Sequence, residues 1–313
     1  MTPTEIKKIL SELGGHANKR LGQNFLIDKN VLQTIVETAN IKKGDHVLEI
    51  GPGLGVLTRA LIEQGADVTA IEQDPRFVEY LPVILAKAGI SFVGDSRLRG
   101  NDKRGGNDNL RIVHGDAATI HWHDLIGNLP WKFVSNLPYS ITSLALRKAL
   151  WTPKPPDIVV TLVQREVAER AISVAVGARH AVSLRGTGKT SLLSLMVALA
   201  SREARIVKRV SPGAFYPAPK VESAILEIIP MTLREREEKW GIDPEKIMAV
   251  AKLGFAHPRK FLISNLGFSA TSLPAYWPTS LNPKTRAEDL APAEWAALAK
   301  LLDEAGRSTH PGS

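Results

Sequence analysis

The stretch HVLEIGPGLG, residues 46–55, places five strand-forming residues directly before three closely spaced glycines. It predicts a buried strand, His46–Ile50, that ends in a tight turn. A helix from Val56 to Gln64 and a second strand from Asp67 to Glu72 are expected to follow. A strand, a glycine-rich turn, a helix and a second strand with an acid at its end form a nucleotide-binding βαβ unit.

The glycine spacing and two acids narrow the choice of ligand. Glycines let the backbone approach a ligand closely, and an acid such as Glu72 can accept both hydroxyls of a ribose. Gly55 follows Gly53 by two residues. The dinucleotide fingerprint has its third glycine three residues after the second, so a nicotinamide cofactor is disfavoured. Glu49, just before the turn, completes a pattern typical of S-adenosylmethionine sites.

Further strands predict an α/β fold with a mostly parallel sheet. The strand Leu110–Ala117 ends in Gly-Asp-Ala, where Asp116 either accepts the adenine amine of a cofactor or caps a helix. The strands Arg205–Val210 and Ser223–Ile229 are expected to form an antiparallel hairpin at the edge of the sheet. These predicted strands are Leu110–Ala117, Phe133–Ser135, Ile158–Val163, Arg205–Val210 and Ser223–Ile229.

The motif Asn136-Leu137-Pro138-Tyr139 follows a predicted strand, at the end where open α/β sheets bind ligands. Pro138 ends the strand and holds the preceding residues extended. The Asn136 oxygen and the Leu137 carbonyl can accept the two hydrogens of an exocyclic amine, and Tyr139 can stack on its ring. The motif therefore indicates a site for adenine, although taken alone it also fits an ordinary turn.

Composition excludes several classes of protein. The 313 residues contain no cysteine, so disulfides and thiolate metal sites are excluded, and no metal site is predicted. The N-terminal segment lacks the apolar core of a signal peptide, and the longest apolar runs are too short to span a bilayer. The net charge is +8, of which +7 lies before Met231. This excess favours a polyanionic partner for the upstream part of the chain.

These motifs together resemble the KsgA-type rRNA adenine N6,N6-dimethyltransferases. The similarity runs in family order from Lys19 to about Leu302. It implies a Rossmann-like, seven-stranded methyltransferase sheet in residues 1–230 and a small helical domain in residues 231–313. The motifs that carry it are Gly22–Leu26, Glu49–Gly53, Ile71–Asp74, Gly115–Ala117, Asn136–Tyr139, Gln164–Ala168 and Phe215–Ser223.

The resemblance also implies activity and site residues. Methyl groups would pass from S-adenosylmethionine to two adjacent adenines near the 3′ end of small-subunit rRNA, during ribosome assembly. The expected enzyme is a cytoplasmic monomer that acts on the rRNA or the immature 30S particle. The residues implied for the cofactor are Asn24, Leu26, Gly51, Gly53, Glu72, Asp116 and Asn136, and those implied for the target adenine are Asn136, Leu137, Pro138, Tyr139 and Phe215.

Phe215 lies in a proline-rich loop, Ser211–Lys220, that is expected to be stiff. The loop is predicted to hold Phe215 out so that it stacks on the target base; the alternative is that Phe215 and Tyr216 cover the edge of the sheet. Two segments depart from the family pattern. Residues 91–109 form an extra, polar insertion, and residues 176–190 differ from the usual approach to the following helix.

Three other functions compete with this interpretation. A related methyltransferase of the erythromycin-resistance type would act on large-subunit rRNA. A non-enzymatic RNA-binding or transcription factor would use the same fold, although the intact cofactor motifs oppose it. A nicotinamide dehydrogenase is disfavoured by the glycine spacing.

Overall fold

The computed structural model describes residues 1–87, 109–174, 189–269, 277–278 and 281–306. The predicted insertion at 91–109 therefore lies outside the described residues except for Asn109, and so does nearly all of the 176–190 segment. Contacts divide the chain into two compact units. The first contains Met1–Ala168 and Ile206–Ile229, and the second contains Glu169–Arg205 and Pro230–Ser313.

The strands and helices lie close to the predicted elements. The strands are β1 Phe25–Leu26, β2 His46–Ile50, β3 Asp67–Glu72, β4 Leu110–His114, β5 Trp131–Asn136, β6 Ile158–Gln164, β7 Ser201–Val210, β8 Phe215–Tyr216 and β9 Ser223–Pro230. The helices are α1 Pro3–Glu12, α2 Lys29–Ala39, α3 Val56–Glu63, α4 Pro75–Lys87, α5 Trp122–Ile126, α6 Thr142–Leu150, α7 Arg165–Ala171, α8 Leu192–Ala200, α9 Leu233–Trp240, α10 Pro244–Gly254, α11 Leu262–Asn265 and α12 Pro292–Glu304.

Within the described part of the chain, seven strands form one sheet in the order β4-β3-β2-β5-β6-β9-β7. Neighbours from β4 to β6 pair in parallel, and β9 pairs antiparallel with β6. The predicted α/β methyltransferase fold is confirmed. Because the parallel strands share a direction, the carboxyl ends of β2, β3, β4 and β5 meet at one edge of the sheet, where the predicted motifs follow them.

Apolar side chains explain why β6 lies inside the sheet, between β5 and β9. Five consecutive residues of β6, from Val159 to Val163, are buried, as expected for a strand that is covered on both faces. Helix α3 buries Leu57 and Leu61, which are four residues apart and therefore lie on one face. Asp28 caps α2 as predicted, because its side chain accepts the backbone N–H groups of Asn30 and Val31.

The N-terminal segment forms a second, smaller cluster. Thr2 and Glu5 form a capping box at the start of α1. This helix buries Ile6 and Leu10 against Phe25, Leu54 and Phe77, the last of which lies on α4. Strand β1 then pairs antiparallel with β8. Together these contacts hold the segment before α2 against the edge of the sheet that carries the motifs.

The second unit is helical. Helix α8 reads LLSLMVALA and is apolar on every face, so it requires burial by several partners. It packs against α9, α10 and α12, and the Trp240 indole N–H donates to the Leu199 carbonyl at 3.0 Å. Residues 169–205 thus belong to the same unit as the C-terminal helices, whereas the predicted domains have a single boundary, after residue 230. Among the described residues, no helix is long and apolar enough to cross a membrane.

Candidate active site

A pocket opens where β2, β3, β4 and β5 end, and it encloses about 1090 Å³ of space, part of it open to solvent. It is built within the first unit by the N-terminal segment and the loops that follow these four strands. Of the described residues, the predicted site residues that line it are Asn24, Leu26, Gly51, Gly53, Glu72, Asp116, Asn136, Leu137, Pro138 and Tyr139. The structure thus brings together all of the predicted site residues except Phe215.

Two of the glycines in the turn after β2 line the pocket. Gly51 and Gly53 adopt φ angles of 66° and 56°, in the left-handed region that favours glycine. A Cβ atom at Gly51 would lie 3.4 Å from Pro138 Cγ, and one at Gly53 would lie 3.2 Å from the Phe25 ring. A side chain at either position would strain the turn, and one at Gly53 would also press on the Phe25 ring. Gly51 and Pro138 are neighbours in the wall of the pocket.

Glu72 is buried at the end of β3 and is held by backbone groups. Its Oε1 accepts the N–H groups of Gln73 and Asp74 at 2.8 Å, and its Oε2 accepts the Gly53 N–H at 3.0 Å. Burial raises the pKa of Glu72, while these three bonds oppose the rise. The bond to Gly53 ties the acid to the glycine turn, and Oε2 keeps acceptor capacity for a ligand hydroxyl.

Glu49 is the second carboxyl of the pocket, and its side chain receives less support. It is 1% exposed, and the Thr58 hydroxyl donates to its Oε2 at 2.7 Å. Burial raises the pKa of Glu49 to about 8, and the nearby Glu72 adds to the rise. Two buried carboxyls in one pocket favour a ligand that carries positive charge, because a cation would stabilise their ionised forms.

Asp116 lies in the turn after β4. Its Oδ1 accepts the Ala118 N–H at 2.8 Å, so the side chain caps a turn. The alternative prediction, a helix cap, is wrong, because α5 begins only at Trp122 after the N-cap residue His121. The same residue also lines the pocket, with Oδ2 left as an acceptor. The Gly115 N–H donates to the Glu72 carbonyl at 2.8 Å and thereby joins this turn to β3.

Asn136 ends β5, and its side chain is oriented by a residue far away in the sequence. Its Nδ2 donates to the backbone carbonyl of Asn24 at 3.2 Å. A carbonyl can only accept, so the amide nitrogen must face Asn24 and Oδ1 must face away from it. The next peptide is fixed as well, because the Leu137 N–H donates to the Leu162 carbonyl at 3.1 Å. The direction of the Asn136 side-chain oxygen is therefore set by the N-terminal segment.

Tyr139 is fixed in a similar way. Its hydroxyl forms a 2.7 Å hydrogen bond with the hydroxyl of Ser223, which is fully buried at the start of β9. Burial raises the pKa of Tyr139, and the bond to Ser223 opposes the rise. The ring is half-buried and lines the pocket. No local pattern in the sequence predicts this partner of Tyr139, because Ser223 lies 84 residues away.

The predicted exposure of Phe215 is wrong. Its ring is 2% exposed and belongs to the main core cluster. The cause is the pairing of β8 with β1, in which Phe215 lies opposite Leu26 and Tyr216 opposite Phe25. The alternative prediction, that Phe215 covers the sheet, describes its position, and the described residues that line the pocket do not include it.

A hydrogen-bond network holds the remaining wall of the pocket. The Gln23 side chain donates to Asp74 at 2.8 Å, and Arg76 forms a 2.6 Å ion pair with the same carboxylate. Burial would raise the pKa of Asp74, but these bonds outweigh it and the pKa is lowered. Phe25 also packs edge-on against Phe77, with ring centroids 5.6 Å apart. The N-terminal segment is thus attached to the loop that carries Glu72.

The fold and the pocket define an S-adenosylmethionine-dependent methyltransferase. The residues fit this cofactor, because the pocket has a glycine turn for close approach, an acid at the end of β3 for a ribose and two buried carboxyls for a cationic ligand. The aromatic rings of Phe25 and Phe77 add apolar surface to the walls.

A family model described as ribosomal RNA adenine dimethylase matches residues 14–304, and the chain belongs to that family. A "Ribosomal RNA small subunit methyltransferase A" of Dehalococcoides mccartyi is 33% identical over 306 residues, which cover 96% of this chain and 93% of the relative. The protein of the same name from Sphingopyxis alaskensis is 34% identical, with 92% and 95% covered. The chain is an rRNA adenine dimethyltransferase.

Solved structures agree with the fold. A dimethyladenosine transferase from Plasmodium falciparum superposes with a TM-score of 0.64 at 21% identity, with 90% of this chain and 98% of that chain covered. The 23S rRNA methyltransferase ErmE superposes with a TM-score of 0.60 at 25% identity, with 90% and 100% covered.

Proposed function

We propose that this enzyme dimethylates the N6 amines of two adjacent adenines near the 3′ end of small-subunit rRNA, as a cytoplasmic monomer that acts on the immature small subunit. The observation that carries the proposal is the fixed Asn136 amide, whose nitrogen is bound to Asn24 and whose oxygen is left as an acceptor in the pocket. Relatives named for the small subunit support the choice of rRNA.

The amine of adenine is a weak nucleophile, because its lone pair is conjugated with the ring. The Asn136 oxygen and the Leu137 carbonyl would accept its two hydrogens. Hydrogen bonds in this direction stabilise a pyramidal nitrogen, so they are stronger in the transition state than in the ground state. When bound, S-adenosylmethionine would supply the methyl group and leave as S-adenosylhomocysteine, and the amine proton that the methyl group replaces would pass to solvent. The protein contributes position and acceptors, and the reaction requires no nucleophilic side chain.

Tyr139 would hold the target ring. A base that stacks on an aromatic side chain gains on the order of 1–3 kcal/mol. Its hydroxyl is bound to Ser223, so the ring keeps one orientation when a base enters. Pro138 lies beside the turn that contains Gly51, so a base held by this motif would lie next to the cofactor turn.

The RNA would be attracted by charge. The net charge of +8 lies almost entirely before Met231, and Arg20 is exposed where it lines the pocket. Phosphate contacts release counterions, so we expect binding to small-subunit rRNA to weaken steeply as the salt concentration rises.

Mass spectrometry of rRNA from cells with and without the gene tests the proposal directly. We expect two adjacent dimethyladenosines near the 3′ end of small-subunit rRNA to be lost together. In vitro, small and large subunits from the deletion strain are each incubated with the enzyme and labelled S-adenosylmethionine, and the Asn136→Ala variant serves as the inactive control. Methylation of the large subunit alone would favour the erythromycin-resistance type of activity and refute the proposal.

A further inference from the structure

The side chain of Lys148, on α6, donates hydrogen bonds to three backbone carbonyls of the turn that follows Asp116. Its ammonium donates to the carbonyls of Ala117, Ala118 and Ile120 at 2.8, 2.6 and 2.7 Å. An ammonium has three N–H donors and no acceptor, so this set satisfies it completely. The ammonium also lies 5.5 Å from the centre of the Trp122 ring, where the cation is attracted by the face of the ring.

Hydrogen bonds fix Asp116 to the turn that follows it. The Asp116 carbonyl accepts the N–H groups of Thr119 and Ile120 at 3.0 Å, and its Oδ1 accepts the Ala118 N–H. The Trp122 indole N–H donates to the Ala117 carbonyl at 2.9 Å, so that carbonyl has two donors. Any force that moves the carbonyls of this turn therefore moves the Asp116 carboxylate as well.

Without a cation, the three carbonyls would converge on one half-buried point and repel each other. The turn would relax to expose them to water, since an unsatisfied buried carbonyl is costly. Helix α6 holds the ammonium in place because its other end begins at Thr142, directly after the Asn136–Tyr139 motif and its short helical continuation. The position of Lys148 is thus set from the target side of the pocket.

We propose that Lys148 is a positioning residue that holds Asp116 where it binds the adenine amine of the cofactor. This inference rests on the proposed function and on the contact with the adenine amine that the family resemblance implies for Asp116. Lys148 does not line the pocket among the described residues, so it acts through the turn. It makes the affinity for the cofactor, and in particular for its N6 amine, depend on a side chain of the helix that follows the target motif.

The test compares two ligands and three variants. S-adenosylhomocysteine carries the N6 amine, and S-inosylhomocysteine carries an oxygen in its place. Their affinities are measured by calorimetry for the wild type, Lys148→Met, Lys148→Arg and the control Arg147→Met, whose side chain is exposed on the same helix. We expect Lys148→Met to weaken S-adenosylhomocysteine about tenfold and the inosine analogue less than about twofold, because the lost contact involves the amine.

Lys148→Arg provides a rescue. It keeps the charge, but a planar guanidinium cannot direct three donors from one atom, so we expect an intermediate loss. Arg147→Met is expected to leave both affinities unchanged. In methylation assays, Lys148→Met should raise the KM for S-adenosylmethionine and leave kcat within about twofold, which general damage to the fold would not do. If Lys148→Met does not fold, Trp122→Phe removes a second donor from the same turn and is expected to give the same ligand preference more weakly.

The outcomes are distinct. Equal weakening of both ligands by Lys148→Met, or no weakening of either, would overturn the positioning role while the proposed function stands. Equal affinity of the wild type for both ligands would overturn the assignment of the amine to Asp116, and this inference with it. Failure of the wild type to bind either ligand would refute cofactor binding in the pocket itself.

Discussion

The two halves of the pocket are built by different means. The cofactor half, Gly51, Gly53, Glu72 and Asp116, is the part proposed to bind the cofactor, and its carboxylates accept N–H groups of residues at most 19 positions away. The target half, Asn136–Tyr139, is the part proposed to bind the adenine, and its side chains are held by partners 112 and 84 residues away. The target half therefore depends on more distant parts of the chain than the cofactor half.

The difference has a functional consequence. Backbone N–H groups hold the carboxylates directly, and Lys148 supports the turn behind Asp116, so changes in the cofactor half are expected to alter affinity for the cofactor. Long-range bonds set the acceptors of the target half, so changes there are expected to alter the rate of transfer.

Asn136→Ala tests the target half most directly. It removes the acceptor that is proposed to stabilise the reacting amine, and we expect kcat to fall about a hundredfold or more. Affinity for S-adenosylhomocysteine should change much less. Single-turnover methylation of small subunits and calorimetry with the wild type as control measure the two effects. A near-normal rate would show that the amide is not part of the reaction.

Glu72→Ala tests the cofactor half. Ligand hydroxyls would lose a charged acceptor, which costs on the order of 1.5–3 kcal/mol of binding free energy. We expect weaker binding of S-adenosylmethionine, with kcat at saturation reduced far less than by Asn136→Ala. Calorimetry measures the affinity, and a thermal melt checks that the loop is still folded. Unchanged affinity would remove Glu72 from the site.

A pH series tests whether the burial of the Glu49 carboxyl lowers the stability of the fold. Its pKa is about 8 in the folded protein, above the ordinary value of 4.5. Because burial favours the protonated form of Glu49, its contribution to stability is fully present below about pH 4.5 and is lost as the pH rises through about 8. We expect the Tm of the ligand-free wild type to fall on the order of 3 °C further than that of Glu49→Gln between about pH 5 and pH 8. Parallel melting curves would contradict this.

Ser223→Ala and Tyr139→Phe test the second long-range bond. Each removes one partner of the 2.7 Å hydrogen bond. We expect either change to lower kcat about threefold, the effect of losing one neutral hydrogen bond. Because both remove the same interaction, the double variant should be no slower than either single one. Additive losses would mean that the two hydroxyls act separately.

Replacement of residues 91–109 by a short Gly-Ser linker should have the smallest effect. The segment is rich in glycine and polar residues, and its charges give a net +1. Long loops cost little in closure entropy, so we expect Tm to stay within a few degrees, and the methylation rate within about twofold, of the wild type. A loss of rRNA affinity with unchanged cofactor affinity would instead identify an RNA-binding arm that serves the target half.

The cofactor half could be predicted because its residues are close in the sequence. The stretch from His46 to Gly55, followed by Glu72, contains both the fold signal and the ligand groups. The target motif could also be located, but its supports could not. Nothing local indicates that Asn24 or Ser223 holds a side chain of this motif, and Lys148 looks like an ordinary basic residue late in a helix. Phe215 was misplaced for a similar reason, because the two-residue pairing of β8 with β1 leaves no pattern in the sequence.

The positive φ of Gly51 has a consequence for how such sequences can diverge. A side chain at position 51 would be strained whatever space surrounds it, because φ is 66°. A Cβ atom there would meet the ring of Pro138 at 3.4 Å, an ordinary van der Waals distance, so the constraint lies in the backbone and not in that contact. We expect descendants of this chain that keep the reaction to retain glycine at position 51, and no change at position 138 to compensate for its loss.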